Sequence, residues 1–140
     1  MRRDQDWARA RFAEARVARL ATVRADGSPR IVPIVFAVAG GVLLTAVDHK
    51  PKATNRLGRL ADIATHPEVS LLVDAYSEDW TRLWWARADG VARIVGRIEE
   101  EYDIGPLVAK YDDYLDRAPT GPAIVVEVRR WSGWSASLEP

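Results

Sequence analysis

The sequence contains no cysteine, a single methionine and two histidines. Without cysteine there are no disulfides, thiolate nucleophiles or thiolate metal ligands, which is in keeping with a reducing compartment. His49 and His66 form no metal-ligand spacing, and no metal is expected. An excess of one charge sign is missing too: Lys plus Arg and Asp plus Glu number 20 each, for a formal net charge of zero. That balance speaks against nucleic-acid binding by a basic surface. No apolar run approaches membrane-spanning length, and Met1-Arg2-Arg3-Asp4-Gln5-Asp6 leads into no apolar signal core. The expectation is a soluble cytoplasmic protein with no membrane partner. A Walker-type glycine loop and a nucleophile-elbow motif are also absent. Glu99-Glu100-Glu101 and Asp112-Asp113 are acidic clusters on an expected helix, where adjacent carboxylates face water, so paired-carboxylate catalysis is not expected.

What is present has the balance of a globular chain, with 48% hydrophobic and 29% charged residues over 140 positions, the size of one domain spanning 1–140. Trp7 to Arg16 reads as a short amphipathic helix capped by Asp4 or Asp6, with Trp7, Ala10, Phe12 and Ala15 as its apolar side. Val17 to Val23 and Ile31 to Val38 flank the turn signal Ala25-Asp26-Gly27-Ser28-Pro29. Gly40-Gly41 reverses the chain into Val42 to Val47, completing an expected three-stranded meander. A helix follows and ends before His66-Pro67, and Val69 to Asp74 is an apolar run of buried-strand length. In Trp80 to Val95, Ala88-Asp89-Gly90 either closes a hairpin or bends one long strand; the bend is the favoured reading. Glu99 to Leu115 reads as a helix interrupted at Gly105-Pro106, and Ala123 to Trp131 as a last strand buried on both faces near Ile124 to Val126. The order β-β-β-α-β-β-α-β suggests a small antiparallel barrel with helices outside it.

The most informative stretch is His49-Lys50-Pro51-Lys52-Ala53-Thr54-Asn55-Arg56, where a strand gives way to a helix carrying bases along one side. Lys52, Arg56 and Arg59 fall at i, i+4 and i+7, while Ala53, Leu57, Leu60, Ala61 and Ala64 supply the expected buried side. Cations at a helix N-terminus oppose the macrodipole, and the free N–H groups there need an acceptor. A bound phosphate-type anion answers both. A solvated helix face is the plain alternative.

Ala18-Arg19-Leu20-Ala21-Thr22-Val23, Asp26-Gly27-Ser28-Pro29, Pro33-Ile34-Val35-Phe36, His49-Lys50-Pro51-Lys52 and His66-Pro67-Glu68-Val69-Ser70-Leu71-Leu72-Val73-Asp74 follow one another in an order that resembles the pyridoxamine 5′-phosphate oxidase-like split β-barrel flavoproteins. With Asp79-Trp80 and Trp84-Trp85-Ala86-Arg87-Ala88-Asp89-Gly90, the sequence is similar to the actinobacterial branch of that family that uses the deazaflavin coenzyme F420. The resemblance covers roughly residues 13 to 131. It implies a mainly β (α+β) fold, a six-stranded antiparallel split β-barrel with flanking helices of the FMN-binding split-barrel type. It also implies a homodimer with the coenzyme in a groove between subunits.

By position, the resemblance implies that His49, Lys50, Lys52, Thr54, Asn55 and Arg56 hold the phosphate or acidic tail, and that Pro33, Ile34 and Val35 flank the ring. FMN-dependent members often carry an arginine on the second strand that reaches the phosphate. This chain has Val32-Pro33 there and gathers its bases at the junction, so F420 is the expected cofactor and FMN the alternative. Hydride transfer between the reduced deazaflavin and a small organic acceptor is the implied reaction, with no protein acid or base assigned. Tyr76, Trp80, Arg82, Trp84 and Trp85 are candidates for an acceptor pocket, or for packing at the dimer interface. Trp131 and Trp134 either cover the groove or close the barrel. A non-catalytic carrier of F420 or haem is the reading from a different functional class.

Overall fold

The structure, a computed structural model, describes residues 1–47 and 53–138, and of residues 53–57 it describes the backbone alone. In chain order the elements are β1 (Arg2–Arg3), α1 (Gln5–Glu14), β2 (Ala18–Val23), β3 (Pro29–Ile34), β4 (Ala37–Ala39), β5 (Val42–Ala46), α2 (Ala53–Thr65) and β6 (Glu68–Ala75). A single 3-10 turn (Trp80–Arg82) leads to β7 (Trp84–Val95), α3 (Ile98–Glu101), α4 (Gly105–Lys110), α5 (Asp112–Asp116) and β8 (Ala123–Ser135). The eight strands form one antiparallel sheet in the order β3-β2-β6-β7-β8-β5-β4, with β1 added to β8. Its two end strands, β3 and β4, are separated in the chain by Val35 and Phe36 alone, so the sheet must curl to bring its edges together. Among the described residues no ladder joins those edges, which leaves the barrel split.

Eight strands replace the six expected, for two local reasons. The segment Ile31 to Val38 is not one strand: the Tyr111 hydroxyl accepts the Phe36 N–H at 3.1 Å and lies 3.0 Å from the carbonyl oxygens of Phe36 and Arg16. Phe36 thus spends its backbone groups on a side chain, and the ladder stops there. The N-terminal pair Arg2–Arg3 adds the other strand, against Gly133 and Trp134. The same break corrects the expected meander, because β5 pairs with β4 and β8, not with β3.

Elsewhere the local chemistry accounts for the elements. Asp4 caps α1 by accepting the Trp7 N–H at 2.8 Å, and the i, i+4 pair Ala8 and Phe12, each fully buried, forms the inner stripe of the helix; Ala10 is exposed. The β2–β3 turn places Gly27 at φ 88°, and Asp26 accepts both the N–H and the hydroxyl of Ser28. The long β7 bends, as favoured from the sequence. Its pairing with β8 shifts register between Asp89 and Gly90, and a Cβ at Gly90 would lie 2.3 Å from the Glu127 carbonyl oxygen. Only glycine admits that approach.

The interior has two parts. Phe12, Leu20, Phe36, Leu43, Leu71, Ile124 and Val126 fill the larger one, and Leu44, Val95, Ile98, Leu107 and Val125 fill the space beneath α3, α4 and α5. β8 therefore is buried on both faces at Ile124 to Val126, as read from the sequence. β6 is not: Val69, Leu71 and Val73 point inward while Leu72 is 37% exposed, the alternation of a sheet with one face outward. On α2 the expected inner residues Ala61 and Ala64 are exposed, and Asp62 and Ile63 are buried in their place. Asp62 faces inward because it has partners there. No helix of the described residues is long and apolar enough to cross a membrane.

Candidate functional site

A cleft of about 220 Å³ opens where the end of β3 meets β5 and α2, lined by Val17, Pro33, Ile34, Val35, Thr45, Ala46 and Arg59. The β3 side is mixed in character: Pro33 is exposed, Val35 half-buried, and Ile34, at 6% exposure, belongs to the core. The buried Thr45 hydroxyl donates to the Val35 carbonyl at 2.8 Å, tying β5 to the end of β3.

The position of α2 is set by a buried polar contact. Asp62 Oδ2 accepts from Arg30 Nε and from the Thr22 hydroxyl, each at 2.7 Å. Burial pushes the Asp62 carboxyl up, and the hydrogen bonds from Arg30 and Thr22 outweigh it, so the net direction is down from its ordinary 3.8. The Arg30 guanidinium lies directly against Gly58, where an added Cβ would sit 2.8 Å from Nη1. A side chain at 58 would displace the Arg30 guanidinium from this position. This tether holds Arg59, one residue further on, over the β3 end.

Of the residues expected from sequence, Pro33, Ile34 and Val35 are thus brought to one cleft with the helix. Thr54, Asn55 and Arg56 fall on the opening turns of α2, described in backbone only, while His49, Lys50 and Lys52 lie outside the described residues. Arg59 stood in the basic stripe but outside the expected site set; its i+7 spacing from Lys52 was the available signal. Arg30 amends the cofactor argument. β3, the strand of Pro33, does carry an arginine that reaches α2, so the lack of one beside Pro33 does not by itself separate deazaflavin from FMN.

Behind the cleft, α4 latches the Val35–Phe36 corner. Tyr111 clamps the Phe36 backbone, and Lys110 Nζ lies 3.9 Å above the Phe36 ring. That ammonium is buried without a hydrogen-bond partner. Burial, and then the like charge of Arg16, lower its pKa from 10.5 to about 8. The folded state thus binds fewer protons than the unfolded chain between those two values, and stability should rise with pH from about 8 to 10.5. Lys110→Met should be more stable at pH 7 by about 1 kcal/mol, once solvent screening and the lost cation–π contact are allowed for, and should lack that rise. Urea melts at pH 7, 9 and 10.5 check this; parallel pH profiles for the two proteins would contradict it.

The expected acceptor set is divided. Tyr76, Arg82 and Trp84 line a groove of about 830 Å³ beside α1, whereas Trp85 lines another of about 900 Å³ together with Trp131 and Trp134. Successive residues of a strand point to opposite faces, and this alternation sends Trp84 and Trp85 apart. Trp80, 68% exposed on the 3-10 turn, lines neither groove. Trp131 packs on Phe12 at 5.3 Å between ring centres, so it helps close the core. Among the described residues no three His, Cys, Asp or Glu side chains gather as a metal site.

This split sheet with its cleft between strand end and helix matches a known family. The model of the pyridoxamine 5′-phosphate oxidase family matches residues 5–135, and the chain belongs to that family. Solved structures share the fold at low identity. A FAD-binding protein from Mesorhizobium loti is 18% identical, with 95% of each chain covered and a TM-score of 0.69. A putative 5-nitroimidazole antibiotic resistance protein from Bacteroides thetaiotaomicron is 14% identical over 93% of this chain and 82% of that one, with a TM-score of 0.71. The heme storage protein HutZ from Vibrio cholerae is 15% identical over 95% of each chain, with a TM-score of 0.68. No curated protein matches this sequence significantly.

Proposed function

We propose that the protein is a cytoplasmic oxidoreductase dependent on coenzyme F420, moving hydride between the reduced deazaflavin and a small organic acceptor, with residues 1–140 as one cofactor-binding domain. The observation that carries this reading is the cleft in which Pro33 and Val35 line one side and Arg59 the other, on a helix whose first turns hold Thr54, Asn55 and Arg56 and which follows Lys50 and Lys52 in the sequence. An apolar wall suits a flat ring, and an adjoining cluster of cationic donors suits phosphate and carboxylates. The residues fit such a group. When bound, the deazaflavin supplies the hydride chemistry. The chain's part would be to orient and to exclude water: Val17, Pro33 and Val35 would form the wall, Arg59 and the bases Lys50, Lys52 and Arg56 would hold the anionic portion, and His49 would add a phosphate contact.

FMN is the second reading, favoured by Arg30 reaching α2 and by the FAD-binding structural neighbour. A non-catalytic F420 or haem carrier is the third, suggested by the likeness to HutZ. Fluorescence titration in one buffer should give tighter binding of F420 than of FMN, and reduced F420 should be oxidised in a steady-state screen of quinones, enones and tetrapyrroles. Equal or tighter FMN binding removes the F420 assignment. F420 binding without turnover on any acceptor favours a carrier, and a Soret band in the purified protein a haem carrier.

The same reading includes a homodimer. The outward face of β3, β2, β6 and β7 runs Ile31–Ala21–Ser70 in one row and Arg19–Leu72–Arg87 in the next, with Ile31 66% exposed. No helix of this chain is needed to cover it if a second copy does. Sedimentation equilibrium at micromolar concentration should report a dimer; a monomer would remove the shared-groove arrangement.

A further inference from the structure

The groove beside α1 is built differently from the cleft. Its walls are the half-buried indoles of Trp7 and Trp84, 6.0 Å apart and edge to face at 87°, with Tyr76 on the rim, 68% exposed. Trp7 is held still: a Cβ at Gly133 would meet its ring at 2.6 Å, and the guanidinium carbons of Arg3 and Arg11 lie 4.8 and 5.6 Å from its ring centre. Two arginines of the lining have unspent donors. Arg11 reaches the exposed Glu14 through Nη2 at 3.4 Å, leaving its buried Nε with no acceptor. The Arg82 guanidinium makes no hydrogen bond or ion pair among the described residues. Arg82, exposed on the rim, can therefore turn its guanidinium to an anion in the groove without giving up a partner within the chain. Asp79, the carboxylate of the lining, accepts the N–H and hydroxyl of Thr81 on Oδ1 at 3.1 and 2.7 Å and makes no hydrogen bond to either arginine, although the Arg82 charge lies near enough to lower its pKa.

We infer that this groove binds a planar aromatic carboxylate, its ring against Trp7 and Trp84 and its carboxylate on Arg11 and Arg82. Guanidinium groups pair with carboxylate and with phosphate. The nearby Asp79 charge selects between them, since it repels a dianion more than a monoanion. A volume of about 830 Å³ lies within the range of small-molecule sites. The proposal rests on the acceptor reading above only for its catalytic consequence, and binding is therefore measured without coenzyme.

The test is an NMR titration of the six-tryptophan protein, following indole N–H resonances assigned by single Trp→Phe replacements, with 1-naphthoate, neutral 1-naphthalenemethanol and 1-naphthyl phosphate as probes. 1-Naphthoate should shift Trp7 and Trp84 saturably and bind about tenfold more tightly than the neutral analogue, the scale of one charge-assisted contact. Arg82→Ala should weaken 1-naphthoate about tenfold and leave the neutral analogue unchanged; Arg82→Lys should restore part of the loss. Arg82 is exposed, so its replacement does not endanger folding even if Arg11→Met does. Equal binding of the charged and neutral probes, shifts at Trp85 or Trp134 instead, tighter binding of 1-naphthyl phosphate, or no saturable shift would each overturn the proposal. Failure of F420 to bind, with 1-naphthoate still binding, would count against the oxidoreductase reading and leave this one standing.

Discussion

Asp62→Ala should destabilise the protein by about 3 kcal/mol in urea melts at pH 7, the lower end for breaking a buried ion pair from one side. The lower end applies because the Arg30 side chain is 30% exposed and regains water, while the Asp62 side chain is 5% exposed. The loss has two parts. Thr22, 3% exposed, keeps a buried hydroxyl without its acceptor, and the Arg30 guanidinium stays against Gly58 with nothing to neutralise it. Arg30→Met on top of Asp62→Ala should recover part of the stability, since the orphaned charge is then gone. The pH dependence has a definite sign. The folded carboxyl titrates below its ordinary 3.8, so its contribution is complete above that value and is lost as pH falls through the folded pKa. Asp62→Ala should therefore melt with a shallower acid limb than the wild type. An unchanged midpoint at pH 7 would mean that α2 is held by its apolar contacts alone.

The second large effect falls on ligand binding. The Lys52→Ala/Arg59→Ala double variant should bind F420 more weakly by about 3–5 kcal/mol, each side chain contributing the scale of a charge-assisted hydrogen bond. The two are seven residues apart in the sequence, and the losses should nearly add. Added salt should weaken the wild type more than the double variant, which has fewer contacts left to screen. Affinity unchanged in the double variant, with a lower apo melting temperature, would make the stripe structural and move the anion site elsewhere. Asp62→Ala provides a cross-check: if the tether positions Arg59, that variant should also bind F420 less tightly at temperatures where it remains folded.

Local chemistry was legible in the sequence wherever a short-range rule acts alone. The Asp26-Gly27-Ser28 turn, the Asp4 cap and the bend at Gly90 each follow from one residue's backbone or hydrogen-bonding habit, and the structure has all three; the expected helix Glu99 to Leu115 is instead three short helices, broken at Tyr102 to Ile104 and at Tyr111, with Gly105-Pro106 opening α4. Pro33, Ile34 and Val35, singled out from the sequence, line one cleft together with Arg59. What failed to read correctly depends on partners distant in sequence. Asp62 looks like a surface acid by helical spacing, and its burial is decided by Arg30 and Thr22 on two other strands.

The break between β3 and β4 has the same origin. Val35-Phe36-Ala37 has the composition of uninterrupted strand, and the ladder ends there only because Tyr111, 75 positions later, takes up the Phe36 backbone groups. One distant hydroxyl thus divides the expected second strand into β3 and β4 and sends β5 to the other end of the sheet. Trp84 and Trp85 make the point for the site: adjacency in sequence suggested a shared pocket, and strand alternation divides them between two grooves. By itself, then, the sequence determined turns, caps, element types and the family's ordered motifs, because those rest on neighbours within a few residues. The tertiary structure alone decided which polar groups are buried, where the sheet splits and which aromatic side chains share a wall, because each of these turns on hydrogen bonds and packing between residues far apart in the chain.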